Sequence, residues 1–193
     1  MPWRGKGAVS ARTGYGYSEF PGRVVSHRTV KMLIFQYGSN VDISRLNDLE
    51  RLSGHARLVG LATTVEGFEL CFNVYSRGQA CGVANLVPEG RTIYGALYDI
   101  PVERVCRDKK INGRKTLDEI EGEGSRYHRK PITVCCNGKK YEASTYQASP
   151  DSAELKTTLT YASHITGGLQ NLVAPQEYID YVKRCIERSR ALP

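Results

Sequence analysis

Short apolar stretches separated by turn residues dominate this chain from residue 32 onward. Met32-Leu33-Ile34-Phe35 is a continuous apolar run of strand length and predicts a buried strand over 32–36. Segments 58–65, 68–75, 79–87 and 92–100 predict further strands, with Glu66-Gly67 and Val87-Pro88-Glu89-Gly90 as turns between them. Asn137-Gly138 stands between two alternating runs and predicts a hairpin of strands 132–136 and 140–146. Helical spacing is scarcer. Ile43, Leu46, Leu49 and Leu52 recur at i, i+3 and predict a helix over 42–52. Tyr178, Val182 and Ile186 mark one stripe of a helix over 175–187, and a short helix is expected near 116–121. Thr166-Gly167-Gly168 reads as a flexible loop whose spacing fits neither a phosphate nor a dinucleotide loop.

Many closely spaced strands with few, irregularly placed helices predict an α+β fold. The expected form is a small mixed α/β domain with a strongly bent, barrel-like β-sheet and a few flanking helices. A doubly wound nucleotide fold is disfavoured, because helices and strands do not alternate regularly. Residues 1–31 break the pattern. They hold five glycines, two prolines and no apolar period, and read as a basic, flexible N-terminal arm ahead of a single domain over 32–193. Three origins fit the arm: an extension upstream of a start at Met32, a functional basic arm, or an Arg-rich targeting segment whose glycines spoil an amphipathic helix.

Charge changes the picture less than its total suggests. The net charge is +7, but Arg4, Lys6, Arg12, Arg23, Arg28 and Lys31 against Glu19 place +5 of it in the arm, leaving +2 for the domain. A near-neutral domain argues against a nucleic-acid partner. No apolar run approaches the roughly 20 residues of a membrane-spanning helix, and no secretory leader is evident, so a cytoplasmic protein is expected. The six cysteines lack zinc-ligand spacing and read as free thiols in a reducing compartment; adjacent Cys135 and Cys136 should face opposite sides of one strand. Self-association into a homodimer stays open.

Two segments carry candidate chemistry. In Leu117-Asp118-Glu119-Ile120-Glu121-Gly122, Leu117 and Ile120 mark the buried face of a helical turn. Glu121 lies at the edge of that face, whereas Asp118 and Glu119 point away from it and glycines end the turn before Glu123. Glu121 is therefore the carboxylate placed to be partly desolvated, which raises its pKa and suits it to proton transfer. The alternative is an ordinary solvated acidic turn. The second segment is Tyr37-Gly38-Ser39-Asn40, between a strand and a helix. Gly38 opens backbone conformations closed to other residues, and N–H groups there can converge on an oxyanion or carboxylate. The alternative is a plain connecting turn with Asn40 or Asp42 as a helix cap. His27, His55, His128 and His164 have no serine or cysteine in a nucleophile context. Arg104, Arg107, Lys109, Lys110, Arg114 and Lys115 form a basic stretch that would lower the Glu121 pKa if close. That stretch either faces solvent or borders the pocket and attracts an acidic leaving group.

Taken jointly, these segments resemble the gamma-glutamylcyclotransferase family. The resemblance rests on Phe35-Gln36-Tyr37-Gly38-Ser39-Asn40, Gly82-Val83-Ala84-Asn85-Leu86 and Ile93-Tyr94-Gly95-Ala96-Leu97-Tyr98. It continues through Leu117-Asp118-Glu119-Ile120-Glu121-Gly122, the tyrosine of Gly124-Ser125-Arg126-Tyr127, Gly167-Gly168-Leu169 and Pro175-Gln176-Glu177-Tyr178. It implies a cyclotransferase that converts a small-molecule gamma-glutamyl amine into 5-oxoproline and a free amine, without metal or cofactor. It implies Glu121 as the acid/base and Tyr37, Gly38, Ser39 and Asn40 as the loop that holds the gamma-glutamyl group, with Tyr127, Tyr146 and Tyr161 as further pocket residues. A non-catalytic binding or interaction protein on the same fold, using the basic arm, is the competing expectation.

Overall fold

A computed structural model describes residues 29–111, 113–149 and 153–192, so the expected arm up to residue 28 lies outside the described residues. The described residues fold into seven strands and five helices: β1 (Lys31–Gln36), α1 (Ile43–Leu46), β2 (Arg57–Thr64), β3 (Phe68–Ser76), β4 (Cys81–Pro88), β5 (Tyr94–Pro101), α2 (Val102–Val105), α3 (Leu117–Glu121), β6 (His128–Cys136), β7 (Lys139–Gln147), α4 (Leu159–Asn171) and α5 (Gln176–Arg190). Five strands close a barrel in the order β1-β5-β2-β6-β7, while β3 and β4 form a separate two-stranded sheet. The α+β class with a barrel-like sheet is thus the observed architecture.

Each strand follows from its local chemistry. β1 buries Ile34 and Phe35 completely, as a continuous apolar run requires when both flanks are covered: β5 on one side, antiparallel, and β7 on the other, parallel. The β6–β7 hairpin turns at Asn137 and Gly138, both with positive φ (49° and 72°), the backbone that a two-residue hairpin demands. Pro131 is tolerated in β6 because β2 pairs only with Val134, Cys135 and Cys136, so the missing N–H interrupts no ladder there. Cys136 is buried and Cys135 half-exposed, as adjacent strand positions should be. No helix of the described residues is long and apolar enough to cross a membrane.

Two expectations fail. The helix over 42–52 shrinks to a 3₁₀ turn at Ser39–Val41 and the four residues of α1. Asn47 ends it. Its side chain donates to the Ala56 carbonyl at 2.8 Å and accepts the Ala56 N–H at 2.9 Å, which ties the chain into a loop; Leu46 and Leu52 remain buried but Leu49 is 85% exposed. The supposed loop at Thr166-Gly167-Gly168 lies inside α4, a thirteen-residue helix capped by the Thr158 hydroxyl. Packing overrides glycine's low helix propensity here, because Gly168 sits against the backbone of Val41 and Asp42. α4 therefore buttresses the loop that follows β1, and His164 on it holds the Asp42 carboxylate at 2.9 Å.

Candidate active site

The Tyr37–Asn40 loop, the end of α3 and residues of four strands (β1, β3, β4 and β7) border one cleft of about 100 Å³. Thr116 starts α3 with a reciprocal capping box to Glu119, and Gly122 ends it in the left-handed conformation (φ 72°). This short, doubly capped turn presents Glu121 to the cleft. Its carboxylate is gripped on one oxygen: Oε1 accepts the Asn40 amide at 2.6 Å and the Gln36 amide at 3.3 Å. Arg51 in turn donates to Asn40 Oδ1 at 2.6 Å, which fixes the amide with its nitrogen toward Glu121. Burial pushes the Glu121 carboxyl above the usual range, against the downward pull of the Arg51 guanidinium, the two amides and Arg126.

The tyrosines sort by what their hydroxyls do. Tyr37 donates to the Tyr146 carbonyl and Tyr127 to the Ala84 carbonyl, each at 2.6 Å, and Tyr146 donates to Asp118 Oδ1 at 2.7 Å. Tyr161 instead accepts the Ala84 N–H at 3.0 Å, so its proton is not spent on a main-chain carbonyl. Burial raises all four phenols, Tyr161 to about 12, so each stays protonated at neutral pH. The loop is set by a hydrogen bond from the Val41 N–H to the Gly38 carbonyl at 3.0 Å. Because that is the first bond of the 3₁₀ turn, the Ser39 and Asn40 N–H groups have no partner within the turn, and the Ser39 N–H and hydroxyl are directed at the Tyr161 oxygen.

All eight residues singled out from the sequence (Glu121, Tyr37, Gly38, Ser39, Asn40, Tyr127, Tyr146 and Tyr161) border this cleft. Two details differ from expectation, and the open placement of the basic stretch is decided. Gly38 has φ −87°, open to any residue; its lack of a side chain matters because a Cβ would lie 3.3 Å from the Tyr161 hydroxyl oxygen. Asp118 does not point to solvent. It is buried and accepts hydrogen bonds from Arg129, Tyr146 and the Arg107 N–H, which locks α3 to β6 and β7. The basic stretch is not what opposes Glu121: Lys110 pairs with Glu119 at 2.8 Å and Arg104 bonds the Leu52 carbonyl, while Arg51 and Arg126 supply the charge at the cleft. Sequence reasoning missed Gln36, Arg45, Arg51 and Arg126. Gln36 and Arg126 stood inside the recognised segments; Arg45 and Arg51 carried no signal once a helix over 42–52 was assumed. Among the described residues, no group of three or more His, Cys, Asp and Glu side chains is placed to hold a metal ion.

Fold and cleft together define a small α+β barrel protein whose cleft carries one acidic side chain, a desolvated glutamate. The family model for gamma-glutamyl cyclotransferase, AIG2-like, matches residues 34–164, more than half of the chain, and the chain belongs to that family. Among solved structures it is similar to a gamma-glutamyl cyclotransferase at 22% identity and a TM-score of 0.67, over 80% of this chain and 87% of that one. It is similar in the same degree (22%, TM-score 0.67, covering 79% and 86%) to an uncharacterized protein from Homo sapiens. It is also similar to YkqA from Bacillus subtilis at 24% identity and a TM-score of 0.67, over 84% of this chain and 55% of that chain. At these identities the likeness carries the fold. No curated protein sequence matches the chain.

Proposed function

We propose that this protein is a gamma-glutamyl cyclotransferase in which the substrate's own alpha-amino group attacks its gamma-carbonyl. The observation that carries the reading is the Glu121 carboxylate, raised in pKa by burial and held by Asn40 and Gln36 on Oε1 alone. Oε2 takes neither bond and is the oxygen that accepts the proton of the attacking nitrogen. The new C–N bond closes a five-membered ring, and the carbonyl electrons move onto oxygen. Glu121 then gives its proton to the leaving nitrogen as the old C–N bond breaks, releasing 5-oxoproline and a free amine. The reacting groups belong to one molecule, so holding it folded contributes much of the rate; effective molarities of about 10⁵ M and more are reached in such reactions. The Asn40 N–H group and the Tyr161 hydroxyl bind the glutamyl unit and its developing oxyanion, where one such donor is worth about 3–4 kcal/mol. An alpha-amino group has an ordinary pKa of about 8, so a glutamate of raised pKa is the better matched base.

The test is a set of matched peptides with 5-oxoproline release as the signal. Gamma-linked glutamyl compounds should react. An N-acetylated one should not, because its nucleophile is gone, and an alpha-linked one should not, because its scissile carbonyl cannot close a five-membered ring. Amine release from either of the last two would identify a general amidase and end this reading.

A further inference from the structure

A second cavity, of about 440 Å³, lies between the start of β5 and one face of α5. That volume falls in the range of small-molecule sites, roughly 300–1,000 Å³. Two rings form its apolar part: Tyr94 and Tyr178 meet with centroids 4.8 Å apart, and Tyr178 is buried. The Tyr94 N–H is directed at the Tyr178 oxygen, and burial raises that phenol's pKa, so its hydroxyl keeps a proton to donate. The charges of the lining are Arg91, Arg184 and Glu177. Among the described residues none of the three is within 4.0 Å of an opposite charge. Arg91 is held by a ring instead. Its guanidinium carbon stands 4.2 Å from the centroid of Tyr181, and a stacked guanidinium has its N–H edge unspent. Glu177 and Arg184 are seven residues apart on α5, about 10 Å along its axis and on the same face. They do not pair, so a negative and a positive group stand at opposite ends of one small cavity.

We propose that this cavity is a binding site for a free alpha-amino acid with an apolar or aromatic side chain, separate from the cleft at Glu121. The lining answers each of the three parts of such a molecule. The carboxylate meets Arg91 and Arg184, with the Tyr178 hydroxyl as a further donor. The ammonium meets Glu177. The side chain lies against the Tyr94 and Tyr178 rings, whose faces suit an apolar body or another ring. A plain anion such as phosphate would set a like charge against Glu177, and a simple amine would leave both arginines unanswered. Charges of both signs beside a ring floor therefore select a zwitterion. The inference is independent of the cyclotransferase reading, because none of these residues borders the cleft.

The experiment titrates L-phenylalanine into the isotopically labelled full chain and follows the backbone amide resonances. Saturable binding is expected with a Kd of about 1 mM, the scale of a few contacts on an open site, with shifts at residues 91–94 and 177–184. Phenylalaninamide lacks the carboxylate and N-acetylphenylalanine lacks the ammonium; each should bind at least about 10-fold more weakly. Arg184→Gln should weaken phenylalanine by a similar factor and leave the amide compound's affinity in place. Glu177→Gln should erase the preference for phenylalanine over its N-acetyl form, and Arg91→Lys should keep part of the affinity that Arg91→Gln loses. Glu177 and Arg184 are exposed, so their variants should keep the parent's melting temperature. Absence of saturable shifts, shifts confined to residues of the Glu121 cleft, or equal binding of the three compounds overturns the proposal. So does an affinity unchanged in both α5 variants. Phosphate that displaces phenylalanine at comparable concentration also overturns it, since the cavity would then be a general anion site.

Discussion

Glu121 shows how one side chain can be legible in sequence while its surroundings are not. The spacing of Leu117 and Ile120 placed it at the edge of a buried face, and the following glycine ended the turn behind it. That is local information, and the structure agrees with it. Asp118 was misread by the same wheel, because the groups that bury it, Tyr146 and Arg129, come from distant strands. A prediction follows from the Glu121 environment. Glu121→Gln should lose about 10²–10⁴ in turnover, the usual worth of a general acid–base group, whereas Glu119→Gln and Glu123→Gln should lose little. The same change should raise the melting temperature at neutral pH. A carboxyl whose pKa is raised in the fold destabilises it once the pH climbs past that raised value, and costs nothing below its unfolded pKa. The gain should therefore shrink as the pH is lowered toward 4, near the ordinary glutamate pKa of about 4.3. Thermal unfolding across that range checks the sign: a Gln variant less stable at neutral pH than the parent would mean the charge is welcome where it sits. In activity, kcat/KM should rise with pH through an apparent pKa above that of an ordinary glutamate.

Elements were legible where one residue type forces one backbone. Asn137-Gly138 gave its hairpin, and Tyr178, Val182 and Ile186 gave α5, because each signal is complete within a few residues. α4 was missed because its middle is Thr166-Gly167-Gly168, a poor helix by propensity that tertiary contact keeps helical. The two glycines make opposite predictions. Nothing lies within 4 Å of a Cβ built on Gly167, so Gly167→Ala should stabilise the protein by about 0.5–1 kcal/mol through helix propensity alone. A Cβ on Gly168 would stand 2.6 Å from the Asp42 nitrogen and 2.8 Å from the Val41 carbonyl carbon, both backbone atoms that cannot step aside. Gly168→Ala should therefore cost about 1–3 kcal/mol as overpacking, and raise KM by moving the loop that carries Ser39 and Asn40. Urea titration and steady-state kinetics of the pair decide it. Equal effects from the two changes would mean that α4 does not press on the loop.

At the scale of the molecule, sequence patterning reached the class of fold and stopped short of the closure. Nothing local announces that β1 meets β7 in parallel, some 110 residues on, with Ile34 opposite Ser144. That seam decides whether the cleft exists. Gln36 ends β1 and Asn40 follows it, while Glu121 precedes β6; their hydrogen bonds span 85 and 81 residues, and the Tyr37–Tyr146 bond spans 109. Each contact is made only when the barrel is shut, so the site should have no stability of its own apart from the fold. The Thr145 hydroxyl, fully buried, donates to the Phe35 carbonyl across the seam at 2.9 Å. Thr145→Val keeps the shape and removes that donor, leaving a buried carbonyl one partner short, and should cost about 1–3 kcal/mol. For a chain of this size each kcal/mol corresponds to about 2–4 °C in melting temperature. Turnover and far-ultraviolet circular dichroism should disappear together along a urea titration of both proteins, with only the common midpoint displaced in the variant. Turnover that vanishes well before the strands do would show that the cleft opens independently of the barrel, and that the β1–β7 seam is not what holds Glu121 against its partners.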